Sequence, residues 1–363
     1  MTTSSPRKLL SLVLLFVVLP ACGSEPTDTN DTSAGGATTT THSTGGSGGG
    51  GGDGGGGGGG GTTSSTGGTT FLTTTSIEEP TPLAGGETDT AWSVALGPED
   101  VYWANMAIPG EGQYHSGIKK VPKASGQETF EMDGPWVMAI ALDSTHLYWA
   151  DGVAILRKPL GGDTVTKVAE NQPVEAGAAI AVDSTSVYWA LPDLGTVMKG
   201  TKDGSQVTPI ATGQNMPTRV VLDDTTVYWT CAAEAGAIMS APKDGSSAPQ
   251  IIAANEPYPG PLAVDGTHVY WGTLQAFKKA PKGGGDSTVI TDEPFVRGVV
   301  SDDQSIYWLR ADNSVARAPK EGGAPVILAY GQVGSSDIAL DDTFVYWTRN
   351  AVIDGAKVLR LPK

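Results

Sequence analysis

Six aspartates recur five residues ahead of a tyrosine: Asp143, Asp183, Asp223, Asp265, Asp302 and Asp341. Gly97 holds the same place ahead of Tyr102. Carboxylates repeated in this way could ring a hard cation. Their local context argues for a humbler task. Each opens a short turn between two strand-like runs, where an Asp carboxylate bonds nearby backbone N–H groups. A residue present in nearly every copy of a repeat serves the scaffold, whereas a site for one ligand needs asymmetry.

The remaining chemistry-bearing residues are few. Of four histidines, His42 lies in low-complexity sequence, and His146 and His268 share a turn position with Ser186 and Thr226. That leaves His115 in a variable loop. No His, Asp and Glu grouping has metal-ligand spacing, no serine sits in a nucleophile elbow, and no catalytic residue or cofactor is expected. The glycine-rich tract matches phosphate-binding patterns only trivially, with no strand before it and no helix after it. Four Pro-Lys pairs, at Pro122-Lys123, Pro242-Lys243, Pro281-Lys282 and Pro319-Lys320, mark another turn. Lysines there read as solvated guards of sheet edges.

The two cysteines have different contexts. Cys231 falls in strand-like sequence and reads as a structural thiol. Cys22 ends a segment with Arg7 and Lys8 followed by an apolar run from Leu9 to Leu19. A run of eleven residues, ten of them apolar, is too short to span a bilayer, which takes about 20. The sequence Leu19-Pro20-Ala21-Cys22 resembles a bacterial lipobox. That resemblance implies a signal peptide over 1–21, cleavage before Cys22, and lipidation of its thiol. Gly23 follows, and in the enteric sorting pattern a residue other than Asp there implies the outer membrane, with the domain facing the periplasm or the cell surface. Cys231 then has no partner for a disulfide.

Residues 22–75 read as a tether. Between Gly45 and Gly61, 15 of 17 positions are glycine, and such sequence has nothing apolar to offset backbone entropy. Its root-mean-square span is about 40 Å. The formal net charge is −16. Loss of Arg7 and Lys8 with the signal makes it −16 − 2 = −18. An acidic chain without basic clusters argues against nucleic acid and against electrostatic docking on anionic lipid.

The remainder, 76–363, must position whatever function there is. Tyr-Trp recurs seven times, at Tyr102, Tyr148, Tyr188, Tyr228, Tyr270, Tyr307 and Tyr346, in steps of 46, 40, 40, 42, 37 and 39 residues. Each copy carries short strand-like runs separated by turn formers and shows no helical periodicity. A period near 40 with four strands per copy predicts an all-β fold: a seven-bladed β-propeller with four-stranded blades. Neighbouring residues on a strand face opposite ways, so Tyr-Trp makes both faces of a sheet apolar, as stacked blades require. The last copy lacks a fourth strand. Thr81-Pro82-Leu83-Ala84-Gly85-Gly86 resembles one without a blade, so the N-terminal strand is expected to close the ring.

The stretch Ile140-Ala141-Leu142-Asp143 through Leu147-Tyr148-Trp149-Ala150-Asp151 resembles the YWTD repeat of low-density-lipoprotein-receptor-type propellers. Tyr228-Trp229-Thr230 and Tyr346-Trp347-Thr348 match three of its four letters. That family closes with six blades and this chain has seven copies. The resemblance implies a binding or interaction propeller and carries over no catalytic residue.

Antiparallel blades put the first–second and third–fourth turns on one rim, and the second–third loops and blade-to-blade links on the other. The first–second turn keeps one length throughout, whereas the second–third loop varies. Variation confined to one rim marks a binding face. Its links also break the repeat, with Trp92, Trp136, Glu175, Arg219, Tyr258, Arg297 and Asp337. These residues suit a small polar or carbohydrate ligand; alternatively they plug the central channel and pair with one another. The sequence thus points to a lipid-anchored, non-enzymatic binding or scaffold protein, monomeric, with an envelope protein or carbohydrate as partner. The competing reading is an exported propeller enzyme of lyase or lactonase type acting on a small or carbohydrate substrate. It would have to draw on Glu175, Asp337 and His115.

Overall fold

The computed structural model describes residues 79–86, 89–107, 116–124, 126–134, 137–175, 179–351 and 355–363. Cys22, the signal and tether segments, His42, His115 and Trp136 lie outside them. Ser76–Lys363 forms one compact unit.

That unit is a seven-bladed β-propeller. Its seven sheets each hold four antiparallel strands. Blade 3 shows the plan: Ile180–Val182, Ser186–Leu191, Thr196–Thr201 and Val207–Ala211, each paired to the next. Blades 1 to 6 span 89–133, 139–170, 180–211, 217–256, 262–291 and 298–329. Blade 7 is built from Ile338–Leu340, Phe344–Ala351 and Gly355–Pro362, and Thr81–Gly86 supplies its outermost strand. The pairing runs from Thr81 opposite Arg360 to Gly86 opposite Ala356. The ring is therefore closed by pairing the first strand of this unit with the last, as the missing strand predicts.

The Tyr-Trp pairs explain why blades stack. Six of the seven tryptophans and six of the seven tyrosines are less than 2% exposed. Each pair is split between two cores. Tyr148 packs with Trp189, Tyr188 with Trp229, Tyr228 with Trp271, Tyr270 with Trp308 and Tyr307 with Trp347. Tyr102 shares a core with Trp149, and Tyr346 with Trp103. One blade thus offers its tyrosine to the next and its tryptophan to the one before. A buried aromatic removes about 150–250 Å² from water, roughly 4–6 kcal/mol gross, so seven such layers hold the ring without a disulfide.

Cys231 is buried and free, and burial pushes its thiol pKa up, which keeps it protonated and unreactive.

Candidate functional site

The two rims are built on different principles. On the rim of the turns, each repeated Asp does three jobs. In blade 3, Asp183 Oδ1 accepts the Thr185 and Ser186 N–H groups at 2.8 and 2.9 Å. Its Oδ2 accepts the Tyr188 hydroxyl at 3.0 Å and lies 3.0 Å from Lys243 Nζ of blade 4. The turn role expected of these aspartates is present, and a bond to the next blade is added to it.

The bridging lysines are not solvated guards. Lys202 pairs with Asp143, Lys282 with Asp223, Lys320 with Asp265, Lys363 with Asp302 and Lys123 with Asp341. Each lysine belongs to the blade after its aspartate, so six of seven seams carry the same bridge. The reading of the Pro-Lys lysines as edge guards is corrected: their amines turn inward because a half-buried carboxylate of the neighbouring blade awaits them.

The seventh seam, between blades 1 and 2, departs on both sides at once. Gly97 stands where the Asp belongs and Leu160 where the Lys belongs. A Cβ at Gly97 would come within 2.8 Å of the Tyr102 ring. Glu131 holds this seam instead, with Oε1 2.8 Å from Lys158 Nζ and Oε2 2.8 Å from Lys120 Nζ. Its carboxylate is 5% exposed.

The electrostatics follow the geometry. Burial acts to raise the ring carboxyls, but the lysine and backbone N–H bonds outweigh it. Asp143, Asp183, Asp223, Asp265 and Asp341 are held below the usual range, and Asp302 falls to about 2. Burial and the adjoining carboxylate push the tyrosine hydroxyls up, Tyr346 to about 12. Every charge on this ring is answered within the protein. Among the described residues no three His, Cys, Asp or Glu side chains group to hold a metal.

The rim of loops and links is the opposite case. Asp337 and Arg219 enter the first strands of blades 7 and 4. The Asp337 carboxylate accepts the Val94 N–H at 2.9 Å and the Ile338 N–H at 3.0 Å. One flank of Asp337 stays open, but protein surrounds the carboxyl, and burial raises its pKa despite the nearby Arg219 charge and these bonds. Asn350 and Ser336 grip the same segment: Asn350 Oδ1 accepts the Ala91 N–H at 2.7 Å, and Ser336 Oγ donates to the Ala91 carbonyl at 2.8 Å. Together they clasp blade 7 to blade 1. Arg219 and Asp337, from blades three apart, are near enough for their charges to interact.

Of the other candidates, Trp92 adjoins this segment, its carbonyl accepting from Ser336 Oγ at 3.2 Å. Trp92 is half-buried, and its indole N–H is buried without a partner. Glu175 keeps its proton to higher pH because it is partly buried and bonds to the Asp193 carboxyl. Arg297 Nη1 donates to Asn313 Oδ1 at 3.2 Å and has no carboxylate partner among the described residues. Tyr258 stands out in solvent, 47% exposed. Two cavities open elsewhere. One of about 180 Å³ is lined by Lys199, Lys243 and Thr208, and one of about 380 Å³ lies against Leu83 and Gln127.

The apolar surface of the rim was missed in the sequence. Eight of thirteen exposed large hydrophobic residues among those described lie on it. Val153, Leu194 and Leu274 cap second–third loops, and Met216, Tyr258, Phe295, Tyr330 and Val333 lie in links. The other five lie on or beside outer strands. Met216, Tyr258 and Phe295 occupy one repeat position, 13 residues before Trp229, Trp271 and Trp308. Counting back from each Trp would have aligned them with Trp136 and Gly334.

No family model matches this chain, and no curated protein matches it. Solved structures do. The computationally designed Ika8 protein is 14% identical with a TM-score of 0.53, over 77% of this chain and 98% of that one. A chain of the nidogen/laminin complex is 20% identical with a TM-score of 0.47, over 56% and 86%. The gluconolactonase XC5397 from Xanthomonas campestris is 17% identical with a TM-score of 0.44, over 60% and 82%. Identities this low show the propeller fold and nothing about activity, and the two likenesses below 0.5 carry no argument.

Proposed function

We propose that this chain is a non-enzymatic binding or scaffold protein, held at a bacterial envelope membrane by lipid on Cys22, that engages its partner through the rim of loops and links. One observation carries the reading. The rim of turns is a set of Asp–Lys bridges at six of seven seams, whereas among the described residues the other rim carries eight of the thirteen exposed large apolar side chains and leaves Arg297 without a carboxylate partner. Repeated, self-neutralised turns present near-equivalent small surfaces, and a specific partner needs an asymmetric one. The YWTD-like repeat supports the same reading, since that resemblance implies interaction. In this reading Trp92, Trp136, Arg219, Tyr258 and Arg297 contribute to recognition. Glu175 shapes one edge, and Asp337 keeps the blade 7–blade 1 clasp in register.

The test is site-specific photo-crosslinking in the host envelope. A crosslinker at Leu194 should give a discrete adduct, and one at Lys282 should give none. Adducts from Lys282 alone, or from neither position, would sink the binding-rim reading. Anchoring is tested separately: Cys22→Ser should release the protein from the outer-membrane fraction or block its processing, and unchanged fractionation with normal processing contradicts it.

A further inference from the structure

Met216, Tyr258 and Phe295 belong to links entering three consecutive blades, 4, 5 and 6. Their φ angles are 51°, 46° and 57°. All three are thus in the left-handed region, where a Cβ crowds the following carbonyl oxygen. The backbone imposes this. Tyr258 and Phe295 donate their N–H groups to the Ala233 and Thr273 carbonyls of the preceding blade's loop, and the Met216 carbonyl accepts from Ala232. Blade 7 solves the same position with glycine: Gly334 has φ 73°, and a Cβ there would meet the Asn350 carbonyl oxygen. Elsewhere Asn171, Asn255 and Asn313 take the left-handed positions, as asparagine does at little cost. Three adjoining blades instead carry large apolar side chains that are 49, 47 and 51% exposed. Neither backbone comfort nor core packing selects them, and strain kept at an exposed apolar position points to a partner.

Resting on the binding-rim reading, we propose that Met216, Tyr258 and Phe295 anchor a docking surface for a protein segment that presents apolar side chains next to carboxylates. The composition favours protein over carbohydrate. Met216 and Leu194 offer no flat ring for a sugar to stack on, whereas Met, Tyr and Phe are enriched in protein interfaces. The charge sets the rest. Arg219 lies three residues after Met216 and Arg297 two after Phe295, so two of these links carry a basic residue close in sequence to the apolar one. A carboxylate on the partner would complete Arg297 with a charge-assisted hydrogen bond. A second copy of this chain is disfavoured because both processed chains would carry −16 − 2 = −18, and an anionic lipid surface is disfavoured for the same reason. The chain also enters the propeller on the other rim, where Thr81 pairs with Arg360 near the Lys363–Asp302 bridge.

The test is selection of a random displayed peptide library on the full chain, followed by titration of the selected peptides against variants. Enrichment of an aromatic or aliphatic residue beside Asp or Glu is expected. The triple variant Met216→Asn, Tyr258→Asn, Phe295→Asn should weaken those peptides by about tenfold or more, and its Tm should hold or rise because strain is relieved. Arg297→Glu should weaken them too, and Lys282→Ser should not. A clear fall in the Tm of the triple variant would make the three side chains structural and overturn the proposal. So would selected peptides that bind the triple variant unchanged. If their binding is then lost in Trp92→Ala or Arg219→Ala, the rim reading stands and only the crescent fails. Binding of anionic vesicles, or self-association by sedimentation, that the triple variant abolishes in place of peptide binding would assign a different occupant and overturn it as well.

Discussion

A single aspartate in six of the seven blades settles three local problems at once, and Asp265 shows how they can be separated. It accepts the Thr267 and His268 N–H groups, each at 2.7 Å, and the Tyr270 hydroxyl at 2.8 Å. It also bridges to Lys320 at 2.8 Å, with both side chains close to 10% exposed. Asp265→Asn keeps an oxygen for the turn and loses the full charge. It should cost about 1 kcal/mol. Asp265→Ala strips every acceptor from partly buried donors and should cost about 2–4 kcal/mol. Urea midpoints of the two variants decide. Equal losses would mean that the inter-blade bridge, rather than the turn, carries the stability.

At the scale of the element, a seam is the unit that matters. The blade 1–blade 2 seam relies on Glu131 between Lys158 and Lys120, with the Glu131 and Lys158 side chains 5 and 6% exposed. Burial acts to raise its carboxyl, but the two lysines outweigh this and hold it low. Removing one member of a buried pair leaves an uncompensated charge, so Glu131→Ala should cost about 3–5 kcal/mol. A loss no larger than that of Asp265→Asn, measured by chemical denaturation, would refute the special role of this seam. The other decisive element is the closing strand. Deleting 81–86 exposes the edge of Gly355–Pro362 and the apolar surface beneath Leu83 and Ala84. We expect a large fall in Tm and new self-association through the free edge. An unchanged Tm would show that closure contributes nothing.

The whole molecule inherits a pH profile from its ring of bridges. The ring carboxyls have folded pKa values below their unfolded values near 4. Their stabilisation is complete above that value and is lost as pH falls through the folded pKa, down to about 2 for Asp302. The tyrosines have folded values above their unfolded value near 10. Their contribution is complete below pH about 10 and is lost as pH rises through the folded value, about 12 for Tyr346. Stability should therefore form a plateau with two falling limbs. Replacing Asp143, Asp183 and Asp265 together with Asn should flatten the acid limb. Thermal melts across pH 2–12 would show this, and an unaltered acid limb would place the acid sensitivity elsewhere.

The period of the Tyr-Trp pairs, their two-faced chemistry and the unpaired first strand were enough to determine seven blades, their stacking and the closure of the ring. Those features are local: strand alternation fixes which way Tyr188 and Trp189 point whatever surrounds them. The aspartate turns were legible for the same reason, since Asp183 finds its N–H partners within three residues. The lysine bridges were not. Lys202 reaches Asp143 across 59 residues, and only the rotation from one blade to the next brings that pair together. Nor could sequence assign the left-handed backbone at Met216, Tyr258 and Phe295. That handedness goes with backbone hydrogen bonds to second–third loops, of the preceding blade for Tyr258 and Phe295 and of the entered blade for Met216, which no local pattern records. Chain-local patterning determined the scaffold; contacts between blades, which depend on the ring being closed, decided which side chains are neutralised and which remain free to meet a partner.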